Sequence, residues 1–410
     1  MANEENLMSG NAIAEVPARV LAGQLNLDAV WTRVHDKHGM PGADGVSVSR
    51  FGRQARANLA AIQSRLAGDR YQPLPLRMAE VEKKSGSTRL LLIPCVVDRV
   101  VQSAVAQWLG ARWNPAFDPH SFAYRPGVGV ASALRALASF RERGFHWVLD
   151  ADIRSFFDSI DQNLLLEKLK RWLGAGSPLL RWIAQWLSGP VWDGAALGLV
   201  KKGVPQGSPL SPLLSNYYLD NFDRRLRAAG IQFVRYADDF LVLARTPFDL
   251  AEARQKVEEA LRDLNLTLSV EKTQTTTFEQ WFRFLGAEIQ GDAILLPFDK
   301  NKKAKGEVFV APVMPPALLR AYRTGHLKAT RPFEWKERLL QTAKTAPAGT
   351  SSPRENTLHR LSSGSCPRDG SRSRPRDGTL GKSSPRSNTL DRLSGSGETS
   401  ALPFLRRAMS

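Results

Sequence analysis

The chain has few cysteines and no long apolar run. Cys95 and Cys366 are its two cysteines; they are too few for a disulfide framework and fit a reducing cytoplasm. No stretch reaches the ~18 consecutive apolar residues that a transmembrane helix requires. Residues 1–16 are polar and acidic, unlike a signal peptide. We therefore expect a cytoplasmic protein without a membrane-spanning segment.

Acidic residues are outnumbered by basic ones. The 410 residues include 57 Lys and Arg against 40 Asp and Glu, which gives a formal net charge of +17 and a pI near 10.2. This balance predicts a polyanionic partner, either nucleic acid or an anionic membrane surface. Hydrophobic residues make up 42% of the chain, enough for a sizeable core with two or three subdomains.

One acidic pair lies inside an apolar stretch, FVRYADDFLVLA at residues 233–244. The pattern predicts a β-hairpin with Asp238 and Asp239 at or beside the turn and buried strands on either side. Two adjacent carboxylates held beside a core repel each other, and a divalent metal would compensate for that repulsion. The alternative is a solvated turn, where Asp is common.

A second acidic strand lies upstream, WVLDADIRSFFDSI at residues 147–160. Asp150 and Asp152 alternate and therefore share one face of the strand. A carboxylate at the end of this strand, beside the hairpin, completes a cluster suited to two Mg²⁺ ions. Such ions can activate a 3′-hydroxyl and stabilise a leaving pyrophosphate, so that no protein base is required.

Between these two stretches lies a turn-rich segment, KKGVPQGSPLSPLLSN at residues 201–216. Its glycines and prolines predict a tight loop before a helix that begins near Pro212 and is capped by Ser211. A phosphate-binding P-loop is excluded because no G-K-[ST] follows. Taken alone, the segment is also compatible with an ordinary loop that leads into a helix.

Together, FVRYADDFLVL, DADIRSFFDSI and GVPQGSPLSPLLSNYYLDNFD resemble, in their order and spacing, the palm of reverse transcriptases of the bacterial group II intron type. The resemblance covers about residues 40–300. It implies an α+β right-hand polymerase fold with fingers, palm and a short thumb. It also implies a bacterial cytoplasmic RNA-directed DNA polymerase that adds dNTPs to a DNA or RNA primer on an RNA template. Two Mg²⁺ ions, for which Mn²⁺ can substitute, would serve as cofactors.

The resemblance also assigns the catalytic and metal-binding residues. Asp152, Asp238 and Asp239 are the expected catalytic carboxylates. Asp152 and Asp238 would bind the metals together with the backbone carbonyl of Ile153, whereas Asp239 would lie beside the metals to orient or balance charge. Asp150 and Asp158 are expected to have supporting or structural roles.

Substrate contacts follow from matched positions. Arg89 lies on a predicted β-hairpin that also carries Lys83 and Lys84. Arg89 would contact the triphosphate, and Lys84 would contact the nucleic acid. Without the palm motifs these cations would be an ordinary basic hairpin tip. Phe157, five residues beyond Asp152, would exclude a 2′-hydroxyl, or it is simply a core aromatic residue.

Further positions match the nascent base pair and the nucleic acid. Gln206 and Gly207 are expected against the nascent base pair. Lys272 would lie near the leaving pyrophosphate, or it is a surface charge. Arg125, in a segment similar to the family's F-R-P-G-R element, would contact template or stabilise the junction of fingers and palm. The F-L-G triplet of Phe284, Leu285 and Gly286 matches a strand pair that supports the primer end.

These motifs and helical periodicities predict the organisation of the chain. We expect an N-terminal extension (1–39), fingers with a template-contacting element (40–135), a palm (136–298), a short thumb-like region (299–345) and a disordered, low-complexity basic tail (346–410). Helices are expected over residues 21–38, 53–66, 97–109, 164–187, 250–264 and about 312–322. The palm sheet is expected to be antiparallel, with helices packed on one side.

Two rival functions remain open, as does the biological setting. One rival is a maturase-like splicing cofactor that binds intron RNA, and the other is a non-catalytic nucleic-acid-binding relic. Intron-type enzymes of this kind occur beside CRISPR adaptation proteins, in phage defence and in degenerate introns. Acquisition of CRISPR spacers from RNA is the first hypothesis among these settings.

Overall fold

A computed structural model describes residues 16–82, 88–295 and 308–333. Helices and strands alternate irregularly, in agreement with the predicted α+β class. The helices of this part are α1 Ala18–Gln24, α2 Leu27–Asp36, α3 Val48–Gly52, α4 Ala55–Ala67, α5 Val96–Trp113, α6 Val130–Glu142, α7 Phe156–Ser159, α8 Gln162–Leu173, α9 Pro178–Leu187, α10 Ser211–Ala228, α11 Pro247–Arg262 and α12 Pro316–Arg323. The strands are β1 Leu76–Glu82, β2 Thr88–Ile93, β3 Trp147–Asp152, β4 Pro190–Trp192, β5 Leu197–Leu199, β6 Gln232–Tyr236, β7 Asp239–Ala244, β8 Gln274–Thr277, β9 Phe282–Phe284, β10 Ala287–Gln290, β11 Ala293–Leu295, β12 Val308–Val310 and β13 Arg331–Pro332.

The two acidic strands lie at the centre of one four-stranded sheet in the order β6-β7-β3-β8. All three pairings in this sheet are antiparallel, as predicted for the palm. Because side chains alternate along a strand, each central strand sends residues to two different cores. Leu149 and Val242 face one of these cores, whereas Val148 and Leu241 face the other.

Both faces of this sheet are covered, which corrects the expectation of helices on one side. Helices α10 and α11 pack on the first face. The second face is covered by α6 through Leu137 and Phe140 and by the small antiparallel sheet β9-β10-β11 through Phe282 and Ile289. The correction has a simple cause, because strands with apolar residues at successive positions must be buried on both faces.

A second sheet contains the strands predicted for the fingers. Strand β1 pairs antiparallel with β2, placing Arg77 opposite Ile93 and Val81 opposite Arg89. Strands β4, β5, β12 and β13 extend this sheet beyond β1. The predicted hairpin is thus confirmed for its two strands, while its turn and Lys84 lie outside the described residues.

Residues 308–333, which are part of the predicted thumb-like region, pack against the fingers strands. Strand β12 pairs with β1 at Ala79 and Val81. The hydroxyl group of Tyr322 in α12 donates to the carbonyl of Pro73 over 3.3 Å. The apolar face of α12 packs there, because Leu319 and Tyr322 contact the small core that contains Cys95. The remainder of the region 299–345 and the predicted tail lie outside the described residues.

Several helix boundaries differ from those predicted. The segment 164–187 forms two helices, α8 and α9, because Gly174 adopts a φ of +81° and Pro178 begins the second helix. The segment 21–38 is likewise divided, where the Asn26 side chain caps α2 by accepting from Ala29 N. Ser211 does not cap α10; its hydroxyl group donates to the Pro205 carbonyl. None of the helices that the structure describes is long and apolar enough to cross a membrane.

Candidate active site

The predicted hairpin is formed by β6 and β7, joined by a two-residue turn. Tyr236 pairs with Asp239, which leaves Ala237 and Asp238 in the turn. Ala237 has a φ of +62°, a left-handed conformation that a small residue adopts with less crowding than a branched one. The turn therefore holds Asp238 at the tip of the hairpin and Asp239 at the first strand position.

The hairpin lies directly against the end of β3. Asp152 is paired with Asp239 in the β3–β7 register, so that both side chains are on the same face of the sheet. The Ile153 amide donates to the Asp238 carbonyl over 3.3 Å. The structure therefore brings together the three carboxylates that the sequence predicts as catalytic.

The electrostatics of these carboxylates reflect their crowding. Burial, reinforced by the charge of Asp152, raises the pKa of Asp238. Part of the Asp239 residue is exposed to solvent. Desolvation of its carboxylate by the surrounding protein, and then the charge of Asp238, nevertheless raise the pKa of Asp239 to about 7. The site therefore has an excess of negative charge that a cation would relieve.

Lys272 supplies one such cation from within the chain. Its Nζ atom donates to Asp152 Oδ2 over 2.7 Å, and this bond raises the pKa of Lys272. The Lys272 side chain is 66% exposed, so it is free to swing away. The lysine therefore stands beside the predicted metal ligands, and its contact with a pyrophosphate stays a prediction.

The same residues have the donor groups that divalent cations require. Within the described ranges, no group of three or more His, Cys, Asp or Glu side chains converges as a ready-made metal cage. Magnesium, however, is commonly held by one or two carboxylates together with substrate phosphates and water. Asp152 and Asp238, which repel each other across the end of the sheet, have the donor chemistry that this mode of binding uses.

The loop at residues 203–208 closes another side of the site and fixes Gln206. Gln206 Nε2 donates to Asp158 Oδ1 over 3.0 Å, and Arg89 Nε donates to Gln206 Oε1 over 2.8 Å. The Gln206 carbonyl also accepts from the Leu92 amide over 2.7 Å. A chain of hydrogen bonds therefore connects Asp158, through Gln206, to Arg89 on strand β2 of the fingers.

Close packing explains the glycine at position 207. Gly207 has a φ of +122°, and a Cβ atom placed there would lie 2.7 Å from the Leu92 carbonyl oxygen. The close approach in this structure is thus to β2, whereas the sequence suggests an approach to substrate. Phe157 is half-buried, stacks edge-on with Phe156 at 5.4 Å, and its carbonyl accepts from the Val204 amide. Both interpretations of Phe157, core aromatic and sugar contact, remain compatible with this position.

Two other residues singled out from the sequence, Arg125 and Asp150, have mainly structural partners. The Arg125 guanidinium donates to Asn114 Oδ1 over 2.7 Å and to the Ser121 carbonyl over 2.6 Å, which favours the junction role over template contact. Asp150 accepts from Gln274 Nε2 over 3.1 Å, in agreement with a supporting role. Neither side chain has a bond to Asp152, Asp238 or Asp239 among those that the structure describes.

The F-L-G triplet forms the predicted strand pair. Phe284 is buried and pairs with Ala287 across the turn between β9 and β10. Leu285 and Gly286 form that turn with φ values of +53° and +81°. Leucine rarely adopts this conformation, and such strained positions are frequent at functional sites. The contact of these residues with a primer stays a prediction.

Sequence reasoning missed one pair at this site, Arg235 and Asp223. Both side chains are fully buried and form an ion pair between hairpin strand β6 and helix α10. The available signal was Arg235 itself, a charged residue inside the apolar run of β6. Its partner, 12 positions upstream on α10, could not be identified from the sequence pattern.

Comparison with known families agrees with this geometry. Residues 81–289, just over half of the chain, match the family model described as reverse transcriptase (RNA-dependent DNA polymerase). That match runs from the end of β1 into β10 and includes the hairpin, β3 and the loop before α10. The chain belongs to the reverse transcriptase family and is an RNA-directed DNA polymerase by class.

Similar proteins indicate which reverse transcriptases this chain resembles. The chain is 28% identical over 286 residues to protein YkfC of Escherichia coli, covering 60% of this chain and 74% of YkfC. It is 31% identical over 174 residues to the group II intron-encoded protein LtrA of Lactococcus lactis, covering 40% of this chain and 27% of LtrA. The sequence is therefore similar to group II intron-encoded proteins, the resemblance that the motifs predict, although it spans about a quarter of LtrA.

Solved structures with related chains were also found. A chain of a partial Cas6-RT-Cas1–Cas2 complex aligns at 26% identity with a TM-score of 0.33, covering 58% of this chain and 42% of that chain. A truncated telomerase from Candida tropicalis aligns at 15% identity with a TM-score of 0.42, covering 53% of each chain. With TM-scores this low, we draw no conclusion about this chain from the two alignments.

Proposed function

We propose that this protein extends a primer 3′-hydroxyl on an RNA template with dNTPs, using two Mg²⁺ ions at Asp152 and Asp238. The observation that carries the proposal is the crowding of Asp152, Asp238 and Asp239, in which burial and like charges raise the pKa of Asp238 and Asp239. A site in which three carboxylates outnumber the one lysine bonded to them is suited to cations. When bound, the ions would supply a polarised hydroxyl nucleophile and stabilise charge on the phosphates.

The residues of the chain have distinct tasks in this proposal. Asp152 and Asp238, with the Ile153 carbonyl, would hold the cations, and Asp239 would balance charge beside them. Arg89, exposed on β2, would meet the triphosphate after releasing Gln206. Lys272 would move from Asp152 towards the leaving pyrophosphate.

The nucleotide itself would be selected by residues on the other side of the site. Phe157 would lie under the sugar and exclude a 2′-hydroxyl. Gln206 and Gly207 would face the nascent base pair, with Gln206 held by Asp158. Leu285 and Gly286 would support the primer end.

Primer extension on an RNA template tests the proposal. The wild type and Asp238→Ala would be compared with dNTPs and Mg²⁺, and again with Mn²⁺. We expect the variant to lose at least about 10²-fold in rate, since it removes a carboxylate that would hold the cations acting on the reacting phosphates. Asp249→Ala, which removes an exposed carboxylate at the start of α11, is the control and should extend primers normally. A folded, RNA-binding wild type that extends no primer would contradict the proposal.

A second candidate is a maturase-like role in intron splicing. It is favoured by the similarity to LtrA, a group II intron-encoded protein. Splicing would depend on binding of intron RNA and not on Asp238. Asp238→Ala protein that still promotes splicing of an intron RNA would support this role, whereas equal loss of both activities would favour the polymerase.

The biological setting forms the narrowest part of the proposal. We propose spacer acquisition from RNA with CRISPR adaptation proteins, with phage defence as the other setting for a group II intron-like enzyme. The proposal predicts that RNA-derived spacers appear in cells that carry this protein with an adaptation complex. Their persistence in cells that carry Asp238→Ala would overturn the CRISPR role without affecting the polymerase proposal.

A further inference from the structure

One strand of the hairpin that carries Asp238, β6, contains a fully buried arginine. Arg235 is 0% exposed, as is its partner Asp223 on α10. Arg235 Nε donates to Asp223 Oδ1 over 2.7 Å, and Nη2 donates to the second oxygen of the same carboxylate. This two-point contact fixes the plane of the guanidinium group.

The remaining Arg235 donors reach three other groups. Nη2 donates to Ser121 Oγ over 2.7 Å, and Nη1 donates to Asn216 Oδ1 over 3.3 Å. Nη1 also donates to the carbonyl of Ala237 over 3.0 Å. One side chain therefore bonds the segment before α6, helix α10 and the turn that carries Asp238.

The backbone of Arg235 reinforces these connections. Its amide donates to the His120 carbonyl over 2.8 Å, and its carbonyl accepts from the Phe122 amide over 2.9 Å. The segment at residues 120–122 is thereby held to β6 by main-chain bonds as well as by Ser121. Arg235 thus links the end of the predicted fingers to the hairpin at a point hidden from solvent.

Stability alone does not account for this pair. A buried ion pair costs desolvation energy, and apolar residues of similar volume often stabilise a fold equally well or better. An apolar side chain cannot, however, donate to the Ala237 carbonyl. That carbonyl belongs to the turn residue with the left-handed φ of +62°, immediately before Asp238.

We propose that Arg235, oriented by Asp223, is a positioning residue that locks the Ala237–Asp238 turn and so sets where the Asp238 carboxylate stands relative to Asp152. Arg235 does not touch substrate or metal in this role. The inference rests on the proposed function for its consequence in catalysis. Its structural part, a turn held by a buried guanidinium, can be tested separately.

The test replaces the pair by apolar residues of similar size, Arg235→Met with Asp223→Leu in one protein. Lys168→Met is the matched control, because Lys168 is another buried cation that bonds α10, donating to the carbonyls of Tyr217 and Tyr218 and not to the Ala237 carbonyl. Three quantities are measured on full-length protein: the unfolding temperature, hydrogen exchange of the amides in residues 233–244, and Mn²⁺ binding by electron paramagnetic resonance.

We expect the double variant to stay folded, to exchange its hairpin amides faster, and to bind Mn²⁺ about ten-fold more weakly, a loss typical of removing a residue that orients a ligand. The control should keep wild-type hairpin exchange and Mn²⁺ binding. A folded double variant with wild-type exchange and Mn²⁺ affinity would overturn the inference and leave the pair as a packing element.

A milder pair of variants covers the case in which the double variant unfolds. Ser121→Ala removes one acceptor of Arg235, and Ser215→Ala removes a buried hydroxyl group that bonds Pro212 instead. Faster hairpin exchange is expected in the first and not in the second, and identical exchange in the two would overturn the inference. A wild type that binds no Mn²⁺ and extends no primer would refute the proposed function, while the exchange data would still decide the positioning role.

Discussion

Lys272 donates to Asp152 across 2.7 Å, although the two residues are 120 positions apart in the chain. The lysine thus occupies one side of a carboxylate that is expected to bind metal, and it competes with the cation for that carboxylate. Lys272→Gln should therefore raise the affinity of the substrate-free protein for Mn²⁺, while primer extension falls because the charge near the leaving group is lost. An exposed ion pair is worth at most about 1 kcal/mol, so the gain in affinity should not exceed about five-fold.

Lys256→Gln, on the exposed face of α11, is the control, and calorimetric titration with Mn²⁺ is the measurement. Weaker Mn²⁺ binding by Lys272→Gln would contradict the competition.

The bond between Asp158 and Gln206 predicts a coupled effect on nucleotide use. Asp158→Ala should raise the KM for dNTPs by about five-fold, since one hydrogen bond of about 1 kcal/mol no longer orients the Gln206 amide. Asp158→Asn retains an acceptor and should behave nearly as the wild type. In a Gln206→Ala background, Asp158→Ala should have no further effect, because the partner is already absent. Equal losses in both backgrounds, measured by steady-state primer extension, would show that Asp158 acts elsewhere.

Leu285 predicts a separation of stability from activity. Its φ of +53° is unfavourable for leucine by about 1 kcal/mol, and asparagine adopts this conformation more readily. Leu285→Asn should change the free energy of unfolding by less than about 1 kcal/mol, because relief of the backbone offsets lost apolar burial. Primer extension should nevertheless fall if the turn supports the primer end. Gln290→Asn, an exposed change on the neighbouring β10, is the control, and full activity of Leu285→Asn would remove this turn from the site.

Asp98 predicts a pH dependence of stability that is independent of catalysis. It is buried and accepts from Tyr71 Oη and from the Leu74 amide, yet burial raises the pKa of Asp98 to about 7. A raised folded-state pKa for an acid means that stability is present at low pH and is lost as the pH rises from about 4 to about 7, by up to about 4 kcal/mol. Asp98→Asn lacks this titration. The free energy of unfolding of the variant should therefore rise relative to that of the wild type as the pH increases from about 4 to about 7, on top of a difference that does not depend on pH. Denaturant unfolding at several pH values measures the difference, and Asp249→Asn serves as the exposed control. A difference that does not vary with pH would contradict the assignment.

The sequence predicts the local parts of the site well because they depend on adjacent residues. The turn at Asp238 and the strand ending at Asp152 follow from alternation and turn chemistry within a dozen positions. The bonds from Lys272 to Asp152 and from Arg235 to Asp223 depend on tertiary packing, which no periodicity encodes. The break between α8 and α9 was missed because leucine and tryptophan spacing outweighed the glycines at positions 174 and 176. The sequence does not predict that α12 lies beside Pro73, because its pattern does not show which apolar surface the helix covers.

The single backbone bond from the Leu92 amide to the Gln206 carbonyl has a mechanical consequence. It joins strand β2 to the loop that leads into α10, and the bonds of Gly203 and Val204 to Ile160 and Phe157 join that loop to α7. An outward rotation of the β1–β2 hairpin must therefore either pull the loop with it or break this bond. If the bond persists, Gln206 moves together with the hairpin in such a rotation.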